Sequence, residues 1–279
     1  MTNVCRVNCD YCPMRRDNVR TLNRYTLGVQ ELARAAETIR DAGIDVVFIQ
    51  GGEVPHTTRI VGEALPRIRG LFGDRVEVLL SLGNKSRAEF AYLRDQGATS
   101  YILKHETSDP ELSRRLRHET LASRVRCLED LLDLGYRVGT GTIVGLPGQT
   151  LESVADDILL ARELGVHMCS ASPFIPAPNT PLEHCPPGSV ETTLNAIASM
   201  RLTNRNWLIP SVSALEKGER KGQARGLTAG ANVVTTNFTP SAAKDNYLIY
   251  GKDRFVVTLD HTRSTLATVG LQPGTSRFA

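Results

Sequence analysis

The chain has 279 residues, 41% of them hydrophobic and 23% charged, with a net charge of +3. That length fits one large domain or two small ones. The charge is too small to argue for nucleic acid or an anionic membrane, no apolar run approaches a bilayer span, and no short solenoid-type repeat is present.

The first predicted element is a loop. Cys5, Cys9 and Cys12 stand in the run Cys5-Arg6-Val7-Asn8-Cys9-Asp10-Tyr11-Cys12, a C-x3-C-x2-C spacing. Three thiolates on one short loop can converge on one iron–sulfur cluster, for which thiolate sulfur is the natural ligand. A cubane has four irons, so three cysteines leave one iron open, and an open position is where chemistry occurs at a metal site. The alternatives fit less well. Zinc wants a fourth Cys or His at regular spacing, and the nearest histidine is His56. A two-cluster ferredoxin run wants a fourth nearby Cys before its Pro, and Pro13 here follows the third. Six cysteines in the whole chain are too few for a disulfide scaffold. Met1-Thr2-Asn3-Val4 leads into the motif without a basic or apolar leader, which predicts a reducing compartment, the cytoplasm.

Beyond the loop, apolar β-rich runs alternate with helix-length segments. The strands are expected at 46–50, 76–82, 101–104, 138–144, 168–172, 208–211 and 232–235. Helices are expected over Val29–Ala42, Arg59–Phe72, Arg87–Gln96, Pro110–Leu134, Leu151–Leu164, Val190–Thr203 and Gly218–Ala229, several ending at a glycine cap: Gly43, Gly97, Gly135, Gly165 and Gly230. Such alternation implies right-handed βαβ units and a parallel sheet. Seven strands are one short of a closed (β/α)8 barrel, and the absent one is expected before the cysteine loop, as if the numbered chain began late.

Functional residues are expected where strands end. Gly51-Gly52-Glu53 follows the first strand, and its glycines let a ligand approach the backbone; a plain strand-to-helix turn is the simpler reading. Ser81 ends the second strand, and Lys104 and Glu106 follow the third, a cation and a carboxylate suited to a zwitterionic ligand. Arg124 is either a bidentate carboxylate grip or a solvated helix arginine. Gly145 and Leu146 open the turn Gly145-Leu146-Pro147-Gly148-Gln149-Thr150, which suits an adenine or ribose edge and lacks the Lys-Ser/Thr of a phosphate loop.

These runs together resemble the radical S-adenosylmethionine (SAM) superfamily, in its biotin-synthase-like branch. Cys12-Pro13-Met14-Arg15-Arg16-Asp17-Asn18, Gln50-Gly51-Gly52-Glu53, Leu80-Ser81-Leu82-Gly83, His105-Glu106-Thr107, Ile143 to Thr150, Pro173-Phe174-Ile175-Pro176 and Ala229 to Val234 carry the resemblance over nearly the whole chain. It is most similar to [FeFe]-hydrogenase maturases and methylornithine synthases, with an archaeal-type lipoyl synthase as a further option. The resemblance implies a (β/α)8 TIM-type barrel lacking its first strand, formed by residues 1–279 as one domain, with the cluster loop at 5–12 and a biotin-synthase-like part from about 190. It implies a [4Fe-4S] cluster on Cys5, Cys9 and Cys12. It implies SAM bound by Gly51, Gly52, Glu53, Ser81, Glu106, Arg124, Gly145 and Leu146, with Glu53's run at the methionyl amino group. The implied reaction is reductive cleavage of SAM to a 5′-deoxyadenosyl radical acting on a small substrate, in cofactor biosynthesis or maturation. The implied partners are a flavodoxin- or ferredoxin-type reductant and a partner radical SAM or carrier protein, with neither nucleic acid nor membrane. The hydrogenase maturases usually have Arg where Lys104 stands and a Thr-Thr pair near Val212-Ser213, and losing the arginine fork alters an inner pocket.

Two alternatives stay open within the enzyme class: sulfur insertion of the lipoyl or biotin type, and carbon-skeleton rearrangement of an amino acid. The first would need an auxiliary cluster on Cys127, Cys169 or Cys185, which otherwise read as packed thiols. Outside that class, the cluster could belong to an electron carrier with no SAM pocket.

Overall fold

The computed structural model describes residues 1–19 and 22–274. Five strands, β1 (Val46–Gln50), β2 (Glu77–Ser81), β3 (Ser100–Ile102), β4 (Arg137–Val144) and β5 (Met168–Pro173), form one parallel sheet in the order β1-β2-β3-β4-β5. Every neighbour is the next strand in sequence, the order of a barrel arc. The register pairs Gln50 with Ser81, Leu80 with Tyr101, Ile102 with Gly139 and Val144 with Pro173. All strands therefore point their C-terminal ends the same way, and the loops that follow them share one mouth.

Helices cover the outer face. α1 (Val29–Asp41) and α2 (His56–Phe72) flank β1, α3 (Arg87–Asp95) follows β2, and α6 (Leu151–Glu163) and α7 (Val190–Thr203) follow β4 and β5. Their inward residues recur at helical spacing, as Leu32, Ala36 and Ile39 do in α1, and this face meets Val78, Leu80 and Val138 of the strands in one continuous core. Gly43, Gly97, Gly135, Gly165 and Gly230 all have positive φ, as the capping role requires.

Three expectations are corrected. The helix expected over Pro110–Leu134 is two, α4 (Pro110–Arg117) and α5 (Leu121–Asp133), because His118 turns left-handed at φ 61° and Thr120 caps a new start. The helix expected over Gly218–Ala229 begins only at Gly222, as α9 (Gly222–Ala229), after left-handed Lys221, and a separate short helix, α8 (Ser213–Gly218), precedes it. The last two expected strands are single parallel bridges, Met168 to Leu208 and Pro210 to Val233. Pro210 has no N–H to donate, and the Asn232 side chain takes the Ile209 N–H at 2.8 Å, so no ladder extends there. Two more helices follow among the described residues, α10 (Ser241–Lys244) and α11 (Leu259–Thr268).

Residues 1–6 lie along the C-terminal end of β1. The Met1 nitrogen donates to Gln50 O at 2.7 Å, Gly52 N–H to Thr2 O at 3.0 Å and Arg6 N–H to Glu53 O at 3.0 Å. Asn3 Nδ2 reaches Asn246 O at 2.7 Å and joins this segment to the far end of the chain across the mouth. Among the described residues, no helix is long and apolar enough to cross a membrane.

Candidate metal and cofactor site

The cysteine loop is held from several sides. Asp10 N–H donates to Leu116 O at 2.8 Å and Arg16 N–H to Val7 O at 3.0 Å. Asn8 Oδ1 accepts from Arg15 Nε at 2.8 Å and from Asp17 N–H at 3.2 Å. Below it, the Arg24 guanidinium donates to the carbonyls of Asn3, Met14, Arg15 and Asn18. A cation ringed by carbonyls can staple a loop without help from any carboxylate.

Cys9 is buried, and Cys5 and Cys12 are partly so. Burial pushes the Cys9 thiol up to about 12, and the Arg117 guanidinium, whose Nη1 lies 3.8 Å from Sγ, opposes that push. Burial also raises the Cys12 thiol. Among the described residues, no three His, Cys, Asp or Glu side chains converge as one metal ion would require. A cubane asks for something else. Each thiolate takes its own iron, so the sulfurs need only rim a common space, and three soft donors on one fixed, desolvated loop fit that demand.

Gly51-Gly52-Glu53 sits directly against this loop. A Cβ on Gly52 would stand 2.0 Å from Val4 O and 3.0 Å from Cys5 Cβ. What approaches Gly52 so closely is the chain's own cysteine loop, where the sequence suggested a ligand. Gly51 is less crowded; its Cβ would meet the end of the Thr2 side chain at 3.1 Å. Glu53 is 5% exposed, and its Oε2 accepts from Asn84 N–H at 2.8 Å and from Arg117 Nη2 at 3.2 Å. Arg6 lies 3.4 Å from its other oxygen and Arg124 4.0 Å from Oε2. Arg117 thus joins Cys9 to Glu53, and pairs with Glu119 at 2.8 Å as well.

Sequence reasoning missed Arg117. A signal existed: α4 buries Leu112, Ser113, Leu116 and Arg117, so the arginine falls on the inward face at i+4 from Ser113. Arg124 is 4% exposed and donates to Asn84 Oδ1 at 2.8 Å, so it is no solvated helix arginine. Ser81 ends β2 beside Gly51, whose N–H donates to its carbonyl at 3.0 Å.

Glu106 follows β3 in a left-handed conformation, φ 67°, which costs a non-glycine residue about 1–2 kcal/mol. Such strain at a strand end is held by its surroundings. Glu106 N–H donates to Gly141 O at 2.9 Å, and its carbonyl accepts from Ile143 N–H at 3.0 Å. Its carboxylate lies 3.1 Å from Lys104 Nζ, which donates to Ser172 Oγ at 3.0 Å. The Tyr250 hydroxyl is raised by burial and feels Lys104, Glu106 and the Ser172 side chain, and the charge of Glu106 acts on Cys9 and Cys12 as well. Lys104, Glu106, Ser172 and Tyr250 therefore form a polar group within reach of the cysteine loop. No sequence signal marked Tyr250, which stands in an ordinary Tyr247-Leu248-Ile249-Tyr250 run.

Gly145 and Leu146 lie further round. The N–H groups of both go to Gln149 Oε1, at 2.7 and 3.3 Å. Leu146 belongs to a small apolar group with Leu112, Leu116 and Phe174, against which Tyr11 of the cysteine loop packs, and that contact joins the turn to the site. Cys127 faces Lys85 O, Cys169 is buried on β5 and Cys185 packs beside the Leu146 group, so the remaining cysteines occupy three separate environments.

A cysteine loop set on the end of β1, with glycine and glutamate groups at strand ends and buried arginines of α4 and α5 beside them, is the arrangement of a radical SAM enzyme. The chain belongs to the Radical SAM superfamily, whose profile matches residues 1–161, a family that works with a [4Fe-4S] cluster and S-adenosylmethionine. It is 37% identical over 251 residues to the [FeFe] hydrogenase maturase subunit HydE of Thermotoga maritima, covering 89% of this chain and 71% of that one. It is 30% identical over 257 residues to the 3-methylornithine synthase of Methanosarcina barkeri, covering 89% and 70%. The solved structure of methylornithine synthase (PylB) superposes with a TM-score of 0.82 at 26% identity, covering 99% of this chain and 81% of that one. The barrel class expected from the strand alternation is thus the one found.

Proposed function

We propose that Cys5, Cys9 and Cys12 hold the cluster, and that Gly51, Gly52, Glu53, Ser81, Glu106, Arg124, Gly145 and Leu146 form the wall around SAM. Residues 1–279 act as one domain, and the part after about 190 completes the substrate chamber; residues 275–279 lie outside the described residues. When bound, the cofactors supply one-electron cleavage of SAM and a 5′-deoxyadenosyl radical that acts on a small substrate. The chain's own residues do the rest. Arg117 keeps a positive charge beside the Cys9 sulfur. Glu106 and Arg124 offer opposite charges to a zwitterion, and Lys104, Ser172 and Tyr250 offer donors to the substrate. Burial of Leu146 and Phe174 keeps water from that side.

The observation that carries this reading is the seating of the cysteine loop on Gly52, which puts Cys5 against that glycine while Arg117 joins Cys9 to Glu53 at the end of β1. Cofactor maturation of the HydE kind is the favoured role, since that relative is the more similar of the two enzyme types; amino-acid rearrangement is second. The separate environments of Cys127, Cys169 and Cys185 lend a sulfur-inserting auxiliary cluster no support. Arg6 and Arg16 lie exposed around the outer side of the cysteine loop, two cations suited to an acidic flavodoxin- or ferredoxin-type reductant in the cytoplasm.

Anaerobic reconstitution tests the proposal. The parent should carry about four irons per chain and, with dithionite and SAM, should form 5′-deoxyadenosine, while Cys9→Ala should do neither. A reduced cluster whose paramagnetic resonance ignores SAM would instead support an electron carrier.

A further inference from the structure

Asp157 lies on α6, outside every group so far assigned, and is 1% exposed. It stands in the row Val154, Asp157, Ile158, Ala161 that α6 turns inward, where an apolar residue would be ordinary. A buried carboxylate with its partners is on average no more stabilising than well-packed apolar side chains of the same volume. Stability alone therefore does not explain an aspartate here.

Its bonds suggest what does. The carboxylate accepts from the Ser108 N–H, the Thr142 hydroxyl and, at 3.3 Å, Gln149 Nε2. Ser108 is two residues beyond Glu106. Thr142 lies on β4 between Gly141 and Ile143, the two residues to which the Glu106 backbone is bonded. Gln149 carries the hold onward, since its Oε1 accepts the N–H groups of Gly145 and Leu146 at 2.7 and 3.3 Å. One carboxylate thus ties the loop after β3 to the turn after β4. The facing titratable group is His105, whose Nε2 lies 3.7 Å from Oδ1.

We infer that Asp157 is a positioning residue for SAM: it fixes the Glu106 loop and the Gly145–Leu146 turn at one separation, so that the cofactor meets a preformed wall. The inference rests on the reading that those two segments face SAM. A preformed wall spares the ordering cost that a loose one adds to binding.

The test uses Asp157→Asn, which keeps the volume but puts an N–H₂ where one oxygen accepted from the Ser108 N–H or from Gln149 Nε2. In cofactor-free protein, hydrogen exchange at Ser108, Gly145 and Leu146 should quicken at least ten-fold. In cluster-loaded protein with parental iron content, the SAM dissociation constant should rise at least ten-fold, with a smaller fall in the rate at saturating SAM. Gln149→Ala cuts only the second arm and should weaken SAM binding less, and the double variant should be no worse than Asp157→Asn alone. Losses that add, or an Asp157→Asn protein with parental exchange and parental affinity, overturn the inference. If Asp157→Asn does not fold, Gln149→Ala at the surface turn decides, and parental affinity there overturns it. A parent that holds its cluster yet binds no SAM overturns the proposed function as well, whereas a SAM-binding parent with an indifferent Asp157→Asn overturns this inference alone.

Discussion

Gly52→Ala separates two reasons for a glycine at that position. If the glycine admits a ligand, alanine should spoil SAM binding and leave the cluster intact. If it admits the cysteine loop, the cluster itself should suffer. The added Cβ would lie 2.0 Å from Val4 O, against about 3.4 Å for ordinary contact, so the loop must retreat by about 1.4 Å. Neither obstacle is the end of a flexible side chain; both Val4 O and Cys5 Cβ are tied to the backbone. A retreat of that size also strains the Thr2 and Arg6 bonds to Gly52 and Glu53. Overpacking of this kind costs about 2 kcal/mol, which in a chain of this size lowers the melting temperature by about 4 °C. Iron and sulfide counts after anaerobic reconstitution, together with a melt of the cluster-free protein, measure both effects. Gly51→Ala is the control, because the tightest contact of its Cβ is the tip of Thr2 at 3.1 Å, with Met1 Cγ and Thr2 N at an ordinary 3.4 Å, and it should melt within about 1 °C of the parent. A Gly52→Ala protein with full iron, the parental melting point and weakened SAM binding would refute the loop-seating argument.

Arg117→Met leaves Glu53 and Glu119 without their shared partner, and urea unfolding of the cluster-free protein should show a loss of about 3 kcal/mol; a loss below about 1 kcal/mol means the pairing matters little. Glu106→Gly should be more stable than Glu106→Ala by about 1 kcal/mol, because only glycine is at ease at φ 67°, and thermal melts that rank alanine higher contradict the strain assigned there. Both variants should lose 5′-deoxyadenosine formation by about a hundred-fold. Cys127→Ala and Cys185→Ala should retain about four irons per chain while Cys12→Ala does not; equal losses in all three would point to a wider cluster set.

Much of this architecture is legible in the residues. The short apolar runs of β1 and β2 read as buried strands because glycine-capped helices alternate with them, and the glycines at 43, 97, 135, 165 and 230 mark helix ends with positive φ. The cysteine loop is legible because its spacing is covalent and local. What is not legible depends on distant segments meeting. Arg117 matters through Cys9 and Glu53, and Tyr250 through the charges of Lys104 and Glu106, none of them near in sequence; Arg24 holds nearer carbonyls, but only the fold turns four of them toward one guanidinium. Gly52 shows a third case, in which the residue type is readable but its reason is not, since the neighbour that needs the space is Val4. The split of the 110–134 helix at His118 likewise follows from a tertiary demand: Arg117 turns inward while His118 reaches Asp10 at 2.9 Å.

The thinning of the sheet after β5 has a mechanical consequence. From β1 to β5 the backbone is bound by ladders, six paired positions between β4 and β5 alone. Past that point single bridges remain, and side chains take over: Trp207 Nε1 to Val166 O at 2.8 Å, Ser211 Oγ to Gln223 O at 2.7 Å, and Asn232 Oδ1 accepting from Ile209 N–H at 2.8 Å. A ladder is indifferent to which residues compose it, whereas a backbone pinned by particular side chains shifts when one of them is exchanged. The two arcs of the ring are thus unequal in stiffness. The ladders of the first arc hold their backbone through most exchanges of side chain, whereas the backbone of the opposite arc follows the few side chains that pin it.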